Sequence, residues 1–489
     1  MRTRLAIYGL LVISLAALAV VISCSNGAKS SSSTSTPPST SMGSAVVFTG
    51  DAPACDVVSF TVTITGLTLT PESGGSPVSA LSSSSQATED FACLMNFSVP
   101  LSFTSLPTGT YTGATLTLAN PSLVVLSGSP LAPTPLTTTL SSSSATVTIK
   151  PGLLVASNGT AGLNLDFNLQ QSVQTNASGQ ATGTVTPTFY ATPSTPSRNT
   201  GLGEIEQLSG VVQSVTTTST NSAFTGSFTI QGEGGTVYTI NTTSKTRFDS
   251  RAGVKSLSDL TVGTFVTTND YIDSNGNIVA LGVEVEEQQN QAEYGSTFQG
   301  MVTSVTQGSS GVTQFNMFVR SEFPNQTGTV PLRTVLTVNV ASSTSFRIED
   351  FMRNEWGMPF SANTMGVGQE VTVNGQLQAG PPVTLSAGAV LLRGQSVVGS
   401  FTALTGSSNN VFTFAPCSAV FNGQPITAVV FSDSFFASFN GLPNLTAGAP
   451  IVVTGLLLYE PAAVSGQGGV SLGPGWVMEA AEVHQLNNQ

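Results

Sequence analysis

FQGMVTSV, residues Phe298–Val305, is the stretch on which the fold turns. A glycine is followed by apolar residues two and five positions later. The same spacing occurs in LSGVVQSV (Leu208–Val215) and in VVGSFTAL (Val397–Leu404), with glycines Gly210, Gly300 and Gly399 separated by 90 and 99 residues. Three more anchors follow each opener in the same order. First comes Thr/Ser-x-Phe, at Thr246–Phe248, Thr344–Phe346 and Ser434–Phe436. A glycine-centred motif is next: LTVGTFV (Leu260–Val266), MGVGQEV (Met365–Val371) and LTAGAPI (Leu445–Ile451). Each unit closes on Ala-x-x-Val, at Ala280 and Val283, Ala387 and Val390, and Ala480 and Val483. A period near 90 residues is too long for a solenoid, so each repeat reads as a separate small domain. Five or six short strands bury both faces only when coiled into a barrel.

The rest of the chain supports an all-β reading. Short runs of Val, Ile, Thr and Phe alternate with Gly, Asn, Ser and Pro, because β-branched residues suit a pleated surface and Gly or Asn supply positive φ at turns. Among 489 residues only 8% are charged, with 14 Lys+Arg against 26 Asp+Glu and a net charge of −12. A chain so poor in cations neutralises few phosphates, which argues against nucleic acid as a partner.

Between Gly43 and Tyr190 lies a different strand-rich unit, in which Val58, Phe60, Val62 and Ile64 alternate with period two. Asp51-Ala52-Pro53, Leu106-Pro107-Thr108-Gly109-Thr110-Tyr111, and Leu165-Asp166-Phe167 with Ser172-Val173 occur here in the order of a bacterial lipoprotein family, domain of unknown function 4382. The unit resembles that family, which implies a β-sandwich of transthyretin or Ig-like type. The three repeats resemble a second family, domain of unknown function 5666, and the resemblance implies OB-like barrels. The expected organisation is a sandwich over 43–190, a linker over 191–204, and barrels over 205–290, 294–393 and 395–486. The third repeat departs most, with a Gly-rich segment from Ser465 to Gly475.

The N-terminus reads as an address. Arg2 and Arg4 precede an apolar run, Leu5–Ile22, in the layout of an export signal. Val21-Ile22-Ser23-Cys24 resembles a bacterial lipobox, which implies a signal peptide over 1–23 and acylation of Cys24. The expected partner is then the lipid bilayer, reached through acyl chains on Cys24. Ser25 after the cysteine implies the outer membrane by the same resemblance. Residues 24–42, almost all Ser, Thr, Pro and Lys after Gly27, read as a tether.

With Cys24 lipidated, Cys55 and Cys93 are the two cysteines sharing a domain. They form a disulfide if their Cα atoms approach within about 7 Å. Cys417 reads as a buried small hydrophobe.

Chemistry is sparse. The single histidine, His484, has no nucleophile elbow to serve. One His and scattered cysteines supply no zinc set, and no cofactor or metal is expected. Glu284 and Glu286 share a strand face, as glycosidase acids or as an ordinary solvated edge. DYIDSNGN (Asp270–Asn277) misses two ligands of a calcium loop, and Asn275-Gly276 reads better as a type I′ turn. RIEDFMRNEWGMPF (Arg347–Phe360) concentrates charge and aromatics where the second repeat exceeds the first. Phe351, Arg353 and Trp356 there form either a recognition patch or a helical cap with the rings turned inward. The expected role is non-catalytic: binding or scaffolding at the envelope, with a glycan or protein ligand. The alternatives are a carboxylate enzyme on envelope polysaccharide and a structural spacer.

Overall fold

The computed structural model describes residues 41–486, apart from 53, 82–86, 95–98, 195–200, 233–235, 249–252, 286–295, 324–327, 350–356, 406–409, 438, 440, 463, 466–470 and 473. The chain is all-β, as the composition led one to expect. Its first unit has two sheets that share one core, joined by the pairing of Ala191 with Ile149. The Leu-Pro-x-Gly-x-Tyr element is the turn between strands Val99–Pro107 and Gly109–Ser127. Gly109 takes a φ of 149°, and buried Tyr111 donates its hydroxyl to the Pro107 carbonyl at 2.8 Å. The tyrosine thereby satisfies a polar tip while its ring fills the core.

Three small barrels follow, the second and third of five strands and the first with a sixth, two-residue strand, Arg247–Phe248. The second consists of Ser296–Gly308, Gly311–Phe323, Val335–Ile348, Glu370–Gln378 and Thr384–Leu392. The third consists of Gly394–Leu404, Val411–Pro416, Ile426–Ala437, Pro450–Glu460 and Gly475–Gln485. Around each barrel the order is first, second, third, fifth, fourth, and back to the first, with the third and fifth strands parallel. The first barrel, from Gly203–Thr216 to Ile278–Val285, follows the same order, and the parallel pair Ile240 with Ile278 completes it. A closed barrel leaves no edge strand unpaired.

The four sequence anchors are the contacts that close each barrel. The opener glycines let the first strand cross the second: a Cβ would lie 2.7 Å from the Gln231 carbonyl at Gly210, 2.0 Å from that of Phe318 at Gly300, and 2.4 Å from that of Ala415 at Gly399. The later glycines, Gly263, Gly368 and Gly448, have φ of 88°, 96° and 86°, where a side chain is strained. Each donates its N–H at 2.8 Å to the carbonyl two residues beyond the opener: Val212, Val302 and Phe401. The hydroxyl of the Thr/Ser-x-Phe element bonds the final strand. Thr246 and Thr344 donate to the Ala280 and Ala387 carbonyls at 2.8 Å, and Ser434 donates to Ala480 at 2.7 Å. Each also accepts the backbone N–H three residues earlier. Anchors two and four of the sequence therefore touch one another in every repeat.

The units pack in a ring. Val46 and Phe48 of the sandwich join Leu202 and Ile205 in one core with the first barrel, so Leu202, at the end of the expected linker, is a packing residue. Phe265 of the first barrel meets Phe323 of the second with ring centroids 4.2 Å apart. Val411, Leu456 and Val477 of the third barrel join the core of the second. Val58, Val124 and Leu126 of the sandwich pack on Met301 and Phe318 of the second barrel.

Candidate functional site

Cysteine pairing departs from the sequence expectation. Cys55 is bonded to Cys417, with Cα atoms 5.4 Å apart across 362 residues of chain. The expected Cys55–Cys93 pair does not form, and Cys417 is not a lone buried thiol. Cys93 ends a short 3-10 turn, Phe91–Cys93, whose start is capped by Asp90. Cys55 lies instead on the loop that faces the third barrel. Both bonded residues are exposed.

The segment around Cys55 is the docking edge of the sandwich. Asp56, held at a φ of 59°, accepts the Ser418 hydroxyl at 3.0 Å and the Ala419 N–H at 2.7 Å. These are the first groups of the turn Ala419–Phe421, where an acid satisfies otherwise orphaned donors. Two residues on, the Val58 carbonyl accepts from Arg320 Nη1. Arg320 also pairs with Glu370 at 2.9 Å and lies 5.9 Å from the Phe318 ring centroid. Gly300 pairs across with Val319 and Gly399 with Pro416, so Arg320 and Cys417 occupy the same position in their barrels. Two barrels thus reach one sandwich segment from one equivalent position.

Where the four units converge lies a cavity of about 340 Å³, to which all of them contribute. The sandwich supplies Glu89, Asp90 and Leu126, the first barrel Ser209 and Tyr238. The second barrel supplies Gln299, Arg320 and Arg333, and Arg393 joins it from the two-barrel connection. Asp90 is committed locally, accepting from the Ser59 hydroxyl at 2.6 Å and from the Phe60 N–H at 2.9 Å. Burial, and secondarily the Glu89 carboxylate, push the Tyr238 phenol above its ordinary range, so it is a hydrogen-bond donor at neutral pH. Arg333 Nε and Gln299 Nε2 are buried with no hydrogen-bond partner among the described residues. Such orphaned donors are costly unless something else satisfies them.

The other residues singled out in the sequence fall elsewhere. Cys24 lies outside the described residues, as do Phe351, Arg353 and Trp356. The described end of that insertion caps the second barrel, with Met358 and Phe360 in its core and the Phe360 ring 5.6 Å from Phe346. Glu284 is buried rather than solvated, paired across the sheet with Thr267, and Glu286 lies outside the described residues. At DYIDSNGN, Asp273 accepts the backbone N–H groups of Asn275 and Asn277 at 2.8 and 2.9 Å. Only Gly276 of the Asn-Gly pair has positive φ, so the turn is not type I′, which needs both. Among the described residues no cluster of His, Cys, Asp and Glu suits a metal, and no helix is long and apolar enough to cross a membrane.

No curated protein matches the chain. Among solved structures it is similar to one titled "drosophila Unr CSD456", at 9% identity over 58% of this chain and 98% of that one, with a TM-score of 0.14. Residues 43–184, most of the sandwich, match the family described as Domain of unknown function (DUF4382).

Proposed function

We propose that the protein is an exported, lipid-anchored envelope protein, held at the outer membrane through Cys24, that binds a glycan or protein ligand without catalysing a reaction. The observation that carries the reading is the Cys55–Cys417 bond. An exposed disulfide between two units persists in oxidising compartments and is rare where thiols are kept reduced. It supports the export that the lipobox resemblance implies. Binding draws its support from the cavity, which has the volume and the mixed lining of small-molecule sites. The acids there are engaged with neighbours, Glu370 by Arg320 and Asp90 by backbone, which suits holding a ligand better than proton transfer. Tandem barrels in the manner of the second resembled family would give such a protein its span.

Labelled palmitate and globomycin test the anchor. The expected result is a labelled band that accumulates as precursor under globomycin and vanishes in Cys24→Ala; labelling that survives the substitution overturns it. A glycan array probed with the full chain in detergent tests the ligand class, and a blank array leaves a protein ligand or the spacer reading.

A further inference from the structure

The orphaned donors in the cavity point to a ligand chemistry. Gln299 and Arg333 flank one short stretch of the strand Gly311–Phe323. Gln299 pairs across from Ser321, whose hydroxyl donates to its Oε1 at 3.0 Å, which leaves Nε2 as the unmatched end of the amide. On the other side Arg333 donates its backbone N–H to the Val319 carbonyl at 2.7 Å. Arg333 adopts a φ of 62°, a conformation that side-chain-bearing residues hold only where the surroundings impose it. The Arg333 Nε and the Gln299 amide N–H₂ are thus set beside one strand segment, and both lack acceptors among the described residues.

What satisfies a guanidinium best is a planar anion with two oxygens, because paired N–H···O bonds match its fork. The charge balance limits how much negative charge fits. Arg320, Arg333 and Arg393 line the cavity against Asp56, Glu89, Asp90 and Glu370, three cations to four carboxylates. A doubly charged phosphate would meet a surplus of like charge, whereas one carboxylate facing Arg333 is balanced locally. The remaining lining is hydroxyl-rich, with Thr88, Ser209, Thr236 and Ser396, and it has apolar faces at Met301 and Phe323. Hydroxyl partners beside apolar walls suit a polyhydroxylated ring, which presents O–H groups at its edge and C–H groups on its face.

We infer that the junction cavity binds a uronic acid sugar, its carboxylate on the Arg333 guanidinium and Gln299 Nε2. The inference rests on the binding reading above and narrows it to acidic sugars. Calorimetric titration of the full chain in detergent, with galacturonate and glucuronate as probes, is the test. Comparison ligands are methyl galacturonate ester, which keeps the ring and removes the charge, and inorganic phosphate. At least one uronate should bind, and the ester and phosphate should bind at least tenfold more weakly. Arg333→Gln should weaken uronate binding at least tenfold, Arg333→Lys should weaken it less, and Arg247→Gln, remote on the first barrel, should leave it unchanged. Melting temperatures of the variants separate lost contacts from lost folding. Equal binding of ester and acid, or wild-type affinity in a folded Arg333→Gln, overturns the acid assignment while leaving sugar binding standing. No uronate binding overturns the inference outright, and the glycan array then judges the broader reading by itself.

Discussion

The second and third barrels share a plan down to single hydrogen bonds, yet they dock on the sandwich with unlike chemistry. Inside, Thr344 and Ser434 hold the same carbonyl of the final strand, and Gly368 and Gly448 make the same bond at the same distance. At the equivalent docking position one barrel offers Arg320 and the other Cys417. The interior is constrained three times over by closure of a small barrel, whereas the outer end of the second strand is free to diverge. That end is also where the barrels differ in build: the second strand spans 13 residues in the middle barrel and 6 in the third. The extra length carries Arg320 and Phe323 out to the junction. The individuality of the docking contacts is therefore located at the outer ends of the second strands and not in the barrel interiors.

The comparison is most sharply tested at the covalent contact. Cys417→Ser should cost about 2–5 kcal/mol of stability, measured by denaturant melts under non-reducing conditions, because the bond closes a very long loop. Cys93→Ser should change neither stability nor the number of thiols released on reduction; if Cys93 proves to be bonded, the docking scheme fails.

The first barrel supplies the next test, since it breaks the shared interior at one point. The bulge between its last two long strands falls at Asn269 and Asp270, and in the other barrels at Asn374 and Gly375 and at Thr454 and Gly455. Asp270 thus stands where its counterparts have glycine, fully buried, with the Thr268 hydroxyl on Oδ2 at 2.6 Å and no partner for Oδ1. Burial pushes its carboxyl up to about 7, against the Thr268 bond that favours ionisation. From pH 4 to 7 the folded chain keeps a proton that the unfolded chain has released. Stability therefore falls as pH rises through that window, and the full penalty applies above it. The difference between wild type and Asp270→Asn should grow across the window by on the order of 4 kcal/mol. Parallel curves for the two proteins would remove Asp270 from the account.

The smallest expected effect concerns the shared interior itself. Thr344→Val leaves the Ala387 carbonyl and the Ala341 N–H without their hydroxyl partner and should cost about 1–2 kcal/mol. Thr344→Ser, the residue of the third repeat, should cost a few tenths at most, as ordinary conservative changes do. If valine and serine prove equivalent, the hydroxyl is not what ties the third strand to the fifth.

Legibility in the sequence follows the same division. The four anchors recur, because each answers to a backbone crossing, a left-handed turn or a carbonyl that every such barrel must satisfy. Turn chemistry was readable in outline but not in type, since Asn275 keeps negative φ where the dipeptide suggests a mirror-image turn. The docking contacts occur once, between residues 262 and 362 apart, and no local pattern marks them. Aligning Arg320 with Cys417 by sequence is defeated by the unequal strands, 20 and 18 residues beyond their glycines. Cys55 and Cys93 looked matched because proximity along the chain was the only measure available.

The Cys55–Cys417 bond also determines where mechanical load travels. Tension applied between the N-terminal end and the C-terminal strands of the third barrel enters the sandwich, crosses two sulfur atoms and leaves through Ser418 and the turn Ala419–Phe421. The first and second barrels lie within the covalent loop and are bypassed, so they carry none of that tension. A pulling experiment should therefore register the unfolding lengths of only the segments outside the loop until a reductant is added, and the full contour length afterwards.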